Sequence, residues 1–125
     1  MSEAKQEISA AQTAHKIADL IVDKKGTELL VLDIGECSDI ADYMILASGT
    51  NKRQVQAMTE EISKDMKQCG RPAIGISGKT HGWWVLMDYG DVLVHVMQED
   101  ARRYYDLEAL WADAQIVRRG VEDAA

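Results

Sequence analysis

The sequence contains one proline, Pro72, and two cysteines, Cys37 and Cys69, and both scarcities exclude classes of protein. With a single proline and no low-complexity stretch, the chain has no proline-rich linker. The cysteines lie 32 positions apart and form no Cys-x-x-Cys motif, so neither a disulfide framework nor a zinc site is predicted. So few cysteines fit a reducing compartment.

Long apolar runs are also missing. No stretch approaches the length of about 18 residues that a membrane span requires. The first residues, MSEAKQEISAAQ, contain acids and lack both the apolar core of a secretory signal and the arginines of a transit peptide. We therefore expect a cytoplasmic protein that has no membrane partner.

Basic residues are fewer than acidic ones, 14 against 21, which gives a formal net charge of -7. A domain that holds nucleic acid by neutralising phosphates needs clustered Lys and Arg. We therefore predict no direct nucleic-acid binding and expect a basic protein as partner, because the acidic charge would accelerate that encounter. The alternative is that the acidic charge only keeps the protein soluble.

Hydrophobic periodicity predicts the secondary structure of a single domain. Apolar residues at three- and four-residue spacing predict one helix ending near Gly26 and a second one with the stripe Val55, Met58, Ile62 and Met66. Short apolar runs predict strands over 28–34, 43–47, 73–77, 83–89 and 92–97, the last two forming a hairpin. A last helix is predicted over 106–114, with Leu107, Leu110 and Trp111 on one face.

This order of elements predicts an α+β fold, a mixed β-sheet of about five strands flanked by helices. The single domain is expected to span residues 1–114. Residues 115–125 are weakly patterned, and we expect them to form a mobile C-terminal tail.

The turn Ser48-Gly49-Thr50 before the second helix is similar to a phosphate cradle, because helix N-termini present free amides to anions. Nucleotidyltransferases place two strand-borne carboxylates after such a turn to hold magnesium, and metal-assisted transfer needs these ligands. No Asp-x-Asp follows here. A capped helix start, with Thr50 or Asn51 as the cap, is the favoured interpretation.

Other candidate chemistry is sparse. Asp88 and Asp91 flank the hairpin turn, where carboxylates could bind a cation but more often bond to nearby amides. His15, His81 and His95 are scattered without the spacing of a metal site. We therefore predict no catalytic residues, no metal and no cofactor.

Aromatic residues are concentrated in the last third of the chain. Strand alternation puts Trp83 and Trp84 on opposite faces, so one is free to serve as an interface anchor. The alternative is that all these side chains are core, the favoured interpretation for Trp111. Arg102 and Arg103 are predicted either to pair with Glu99 or Glu108 in a solvated cluster or to border a binding face.

Two segments carry a specific resemblance to a known family. The run GWWVLMDYGDVLVHV over 82–96 resembles the signature of the ribosomal silencing factor family, also called iojap-related. The run RYYDLEALW over 103–111 resembles its closing motif, and 41–45 and 47–50 resemble its first half. Met97, where an aromatic residue is common, and Ser77, where Glu is common, depart from the family pattern.

The resemblance implies a fold related to nucleotidyltransferases without the catalytic acids. It also implies a non-enzymatic translational repressor that binds the large ribosomal subunit through its fourteenth protein. Occupying that site would block joining of the small subunit and lower translation when nutrients are scarce. The matched motif positions suggest a partner-binding face of these residues: Trp84, Leu86, Asp88, Tyr89, His95, Arg103 and Tyr105.

Two other hypotheses remain open on the residues alone. One is a magnesium-dependent enzyme of the nucleotidyltransferase type, built on the Ser48–Asn51 turn. The other is a homodimeric scaffold whose aromatic surface pairs with itself, since exposed apolar patches mark interfaces.

Overall fold

A computed structural model describes residues 8–120 and shows an α+β domain in which helices flank a mixed six-stranded sheet. The elements in chain order are α1 (Ala10–Asp23), β1 (Thr27–Asp33), β2 (Tyr43–Gly49), α2 (Lys52–Gln68), β3 (Gly75–Ser77), β4 (Trp84–Asp88), β5 (Val92–Gln98), α3 (Glu99–Tyr105), α4 (Leu107–Leu110) and β6 (Gln115–Arg119). The spatial order of the strands is β3-β4-β5-β2-β1-β6. The central pair, β2 and β5, is parallel, and the other neighbours are antiparallel. The predicted fold class is confirmed.

Helices α1 and α2 cover one face of the sheet. The predicted stripe of α2 is fully buried, because Val55, Met58, Ile62 and Met66 all pack into the larger core cluster. Ser9 forms a capping box at the start of α1, and Asn51 caps α2 by accepting a hydrogen bond from the amide of Gln54. The two long helices therefore begin where local sequence chemistry places them.

The short helices α3 and α4 lie on the opposite face. A smaller core cluster there contains Leu32, Ile34, Ala41, Met44 and Leu46, and Leu107, Trp111 and Ala114 pack against it. The predicted helix over 106–114 is wrong in extent: Asp106 has a φ of 46°, so its left-handed backbone ends α3 and only Leu107–Leu110 continue as α4. Leu110, predicted on the same face as Leu107, is instead 75% exposed.

Residues 115–119 correct the expectation of a mobile tail. They form β6, which pairs antiparallel with β1 at the edge of the sheet, and Arg118 forms a 2.9 Å ion pair with Asp19. Most β6 side chains are exposed, so the strand lacks the apolar alternation by which a sequence reveals one. The sheet therefore has six strands, where about five were predicted. The rest of the predicted tail, residues 121–125, lies outside the described residues.

Within residues 8–120, no helix combines the length and the hydropathy needed to cross a bilayer.

Candidate functional site

Trp84 lies on the sheet face that α3 and α4 partly cover. Alternation along β4 buries Val85 and Met87 among α1 and α2 and leaves Trp84, Leu86 and Asp88 half-buried on this other face. The indole Nε1–H of Trp84 donates a 3.0 Å hydrogen bond to Nδ1 of His95 on the neighbouring strand. The one polar group of the Trp84 side chain is therefore satisfied internally, and the ring can offer only apolar surface to a partner.

Two tyrosines at the end of α3 extend this surface. The ring of Tyr105 lies 4.6 Å from that of Trp84, and Tyr104 packs edge-on against Tyr105 with the centroids 4.9 Å apart. Tyr104 is 78% exposed and Tyr105 is 40% exposed. We call Trp84, Leu86, Tyr104 and Tyr105 the aromatic face. Rigid aromatic side chains with few rotatable bonds are typical anchors of protein interfaces.

His95 lies beneath the aromatic face and is only 7% exposed. Leu86 is its direct cross-strand partner. Since Nδ1 accepts the indole hydrogen bond, a neutral ring carries its proton on Nε2. Burial, assisted by the positive charge of Arg102, lowers the pKa of His95 from 6.5 to about 4. His95 is therefore neutral at physiological pH and holds the Trp84 ring in place.

The depressed pKa of His95 predicts a pH-dependent stability. Between pH 6.5 and about 4, the unfolded chain binds a proton that the folded protein excludes, so the free energy of unfolding falls as the pH falls. Acidification from about pH 7.5 to about pH 5 should cost about 2 kcal/mol through this group alone. His95→Asn keeps an acceptor for the indole but does not titrate. Urea unfolding of both proteins at the two pH values should show a weaker pH dependence in His95→Asn, and equal dependences would contradict the assignment.

A buried ion pair attaches α3 and α4 to the sheet. Arg102 is 4% exposed, and its Nε donates a 2.8 Å hydrogen bond to Glu108 at the start of α4. Its Nη1 donates a second one, of 2.9 Å, to Oγ of Ser48 at the end of β2, and Ser48 in turn donates to Glu28. The predicted pairing with Glu108 is confirmed for Arg102, but the expectation of a solvated cluster is wrong for it. Arg103 instead pairs with Asp100 in solvent.

The structure brings five of the seven predicted binding residues to one sheet face. Trp84, Leu86, His95 and Tyr105 adjoin one another on one sheet face, and Asp88 lies on the same side of β4. Arg103 is exposed on α3. Tyr89 is instead buried in the core cluster of the α1 and α2 layer.

Burial raises the pKa of the Tyr89 hydroxyl to about 12. Its side chain is therefore a core residue rather than a contact residue, and we leave it out of the proposed face.

Sequence reasoning left Tyr104 out of the predicted binding face and did not foresee that Arg102 is buried. Tyr104 lies on α3, a short helix that the hydrophobic pattern did not predict. Arg102 and Arg103 are identical neighbours, and only the helical phase of α3 decides which one points inward. The run Arg103-Tyr104-Tyr105 before an acidic residue was the one available hint of an exposed aromatic pair.

The groups of the Ser48–Asn51 turn already have partners within the protein. The amide and the hydroxyl of Thr50 both donate to Oε1 of Gln54, at 2.7 and 3.0 Å. Asn51 caps α2, and the Gln54 side-chain amide donates to the carbonyls of Lys24 and Lys25. The prediction of a capped helix start is confirmed, with Asn51 as the cap.

The hairpin carboxylates also have internal partners. Asp88 accepts a 2.8 Å hydrogen bond from the amide of Gly90, as predicted for an acid at a turn. Asp91 pairs with Arg71, which also donates to Thr13 and to the Tyr89 carbonyl. Among residues 8–120, no three His, Cys, Asp or Glu side chains lie close enough to hold a metal ion.

Comparison with known proteins matches nearly the whole chain. A family model described as "Ribosomal silencing factor during starvation" covers residues 7–125. The ribosomal silencing factor RsfS of Haemophilus influenzae is 42% identical over 88 residues, which cover 70% of this chain and 86% of that protein. A mouse protein named mitochondrial assembly of ribosomal large subunit protein 1 is 28% identical over 98 residues, 76% of this chain and 43% of the mouse protein.

The architecture is shared as well. The crystal structure of a Chromobacterium violaceum protein, 34% identical in sequence, superimposes with a TM-score of 0.82 over 94% of this chain and 97% of that one. Sequence and fold thus agree over almost all of the domain that carries the aromatic face, and the chain belongs to the ribosomal silencing factor family.

Proposed function

We propose that this protein is a non-enzymatic repressor that binds the large ribosomal subunit through its fourteenth protein and blocks joining of the small subunit when nutrients are scarce. The aromatic face is the observation that carries the proposal. The family description, which mentions starvation, and the mouse relative, whose name mentions the large subunit, support the same interpretation.

The aromatic face suits a protein partner. Trp84 is half-buried and its indole N–H is already bonded, so a partner gains apolar contact without having to satisfy a polar group. Tyr104 and Tyr105 add exposed ring surface beside it. Such anchors lose little side-chain freedom on binding, because neighbouring groups already restrain them. The face therefore fits an interface hot spot better than a small-molecule pocket.

The charge of the protein suits a basic partner. The net charge is -7, and Asp88 lies on β4, the strand that carries Trp84 and Leu86. Ribosomal proteins are usually basic, so long-range attraction would accelerate encounter and orient the docking.

The proposed mechanism is competitive occupancy. A protein that binds the free large subunit but not the joined ribosome shifts the joining equilibrium by mass action. No chemical step is needed, and repression ends when the protein dissociates. The internally bonded Ser48–Asn51 turn gives a transfer reaction no free amide at Thr50, which favours this mechanism over a nucleotidyltransferase-like one.

Co-sedimentation with purified large subunits tests the proposal. Trp84→Ala should weaken binding by roughly 30-fold or more, since loss of a buried aromatic anchor costs about 2–4 kcal/mol. Tyr104→Ala should weaken it less while leaving the free energy of unfolding unchanged, because Tyr104 is 78% exposed. Added small subunits should then join freely in the presence of Trp84→Ala and poorly in the presence of the wild type.

Trp83→Ala is the matched control, because Trp83 is exposed and precedes β4 without belonging to the aromatic face. It should bind large subunits like the wild type. If the wild type stays in the supernatant, the proposal fails, and calorimetry with magnesium and nucleotides becomes the test of the enzymatic alternative. Sedimentation of the protein alone at several concentrations tests the homodimeric scaffold.

A further inference from the structure

The solvent side of α2 concentrates positive charge on a protein whose net charge is negative. Lys52, Arg53, Lys64 and Lys67 are all exposed along this helix. Lys25, also exposed, lies beside them, because the Gln54 side chain bonds to its carbonyl oxygen at 2.9 Å. We call these five residues the basic surface. Along α2, it extends over about 20 Å at 1.5 Å per residue.

The acids of α2 do not neutralise this surface. Glu60 pairs with Lys79 at 3.1 Å and Glu61 with Lys24 at 3.8 Å, so bases from neighbouring segments occupy two of the three acids in the helix. Within residues 8–120, no ion pair involves a member of the basic surface. Its charged groups are therefore exposed and free to contact a partner.

The positions of Lys52 and Arg53 are unfavourable for the stability of α2. Both lie in the first helical turn, which contains no acidic residue. The positive end of the helix dipole disfavours cations there, at about 0.3–1 kcal/mol each. The stability of the helix therefore does not account for these two charges, which suit an external anion.

The net charge of the chain conceals that bases are concentrated around α2 and acids in the rest of the chain. Seven bases of α2 and its neighbours (Lys24, Lys25, Lys52, Arg53, Lys64, Lys67 and Lys79) lie beside four acids, Asp23, Glu60, Glu61 and Asp65. The rest of the chain holds 17 acids and seven bases. The expectation of no nucleic-acid binding rested on the net charge alone. Phosphate binding depends instead on local clusters of basic residues.

Lys52, at the start of the basic surface, lies close to the aromatic face at one end of the sheet. A Cβ at Gly82 would lie 2.7 Å from Cγ of Lys52, so the stem of Lys52 lies against the backbone two residues before Trp84. Gln56 ties the same loop to α2 through the carbonyls of Lys79 and Thr80, and Gln98 at the end of β5 bonds to the Gly82 carbonyl. One large partner can therefore touch both surfaces.

We propose that the basic surface binds the phosphate backbone of ribosomal RNA while the aromatic face binds a ribosomal protein. This proposal rests on the proposed function, because it assumes that the RNA belongs to the large ribosomal subunit. A ribosome offers clustered anions chiefly as RNA phosphates, because its proteins are mostly basic. Lysine and arginine side chains make such contacts without reading base sequence, so the surface would orient the protein rather than select a sequence.

The test reverses charge at the end of the surface nearest Trp84. Lys52→Glu/Arg53→Glu is compared with Lys16→Glu/Arg119→Glu, which makes the same change in net charge at exposed positions elsewhere. Acids in the first turn of α2 suit the helix dipole, and urea unfolding of both variants checks that weaker binding does not reflect unfolding. Binding to large subunits is measured from about 50 to about 200 mM monovalent salt, the range in which phosphate contacts dominate affinity.

We expect the α2 variant to bind large subunits at least about tenfold more weakly at low salt and to reduce the slope of log affinity against log salt by roughly two. In the Lys16/Arg119 variant, the affinity at low salt and the salt slope should both change much less. On large-subunit RNA stripped of protein, the wild type should bind at low salt and the α2 variant should not. Identical behaviour of the two variants, or failure of the wild type to bind stripped RNA, would overturn the proposal. If the wild type binds stripped RNA but not subunits, the proposed function fails and the RNA contact stands.

Discussion

Gly78→Ala is expected to lower the free energy of unfolding by about 3–4 kcal/mol, a large part of the total stability of a domain this size. Gly78 has a φ of +83°, a left-handed conformation that alanine adopts only under strain. A Cβ there would also lie 2.2 Å from the carbonyl oxygen of Trp84, which is backbone and cannot turn aside as a side chain could. The β3–β4 pairing should therefore loosen, and urea unfolding measures the loss.

Gly70→Ala separates the collision from the backbone strain. Gly70 has nearly the same φ, +85°, but a Cβ there would have nothing within 4 Å. Its substitution should lower the free energy of unfolding by only about 1 kcal/mol, which is the part due to backbone strain. Equal losses in the two variants would mean that the approach to Trp84 contributes nothing.

Arg102→Leu is expected to cost about 2–3 kcal/mol, because it removes the buried member of an ion pair whose Glu108 side chain is 35% exposed, and leaves its partners without their donor. Glu108 loses its partner at the start of α4, and Ser48 loses a donor at the end of β2. The helices α3 and α4 should detach from the sheet before the rest of the domain unfolds. Hydrogen exchange of amides over residues 99–110 should rise more than that of α2, and urea unfolding gives the total loss.

Arg103→Leu is the neighbouring control. Its ion pair with Asp100 is exposed on both sides, and such pairs contribute about 0–1 kcal/mol. The two substitutions change the same residue type by the same amount, one position apart. A loss for Arg103→Leu as large as that for Arg102→Leu would refute the structural role given to the buried pair.

The fold was predictable wherever one side of an element is buried and the other is not. The stripe of α2 repeats at helical spacing and is wholly buried, and β4 alternates between the two faces of the sheet as strand geometry requires. β6 gave no such signal because four of its five side chains are exposed. Its stability comes from pairing with β1, a contact distant in sequence that no local pattern records.

The candidate site was predictable only in part. The motif that contains Trp84 and His95 pointed to the correct pair of strands, but it also included Tyr89, whose side chain alternation sends to the other face. The hydrogen bond between Trp84 and His95 depends on the register of β4 against β5, which a sequence does not state. Four of the five members of the basic surface lie on α2 itself, and packing adds only Lys25 by joining the end of α1 to the start of α2.

The central pairing of β2 with β5 affects when the protein can fold during its synthesis on the ribosome. β1 and β2 form one antiparallel unit and β4 and β5 another, and the parallel contact from Tyr43–Val92 to Gly49–Gln98 joins them. A growing chain that has not yet released residue 98 from the exit tunnel therefore leaves one edge of β2, with Ile45 and Ala47, uncovered. Joining segments so far apart in the chain is slow, so the domain should acquire its cooperative stability only near the end of synthesis.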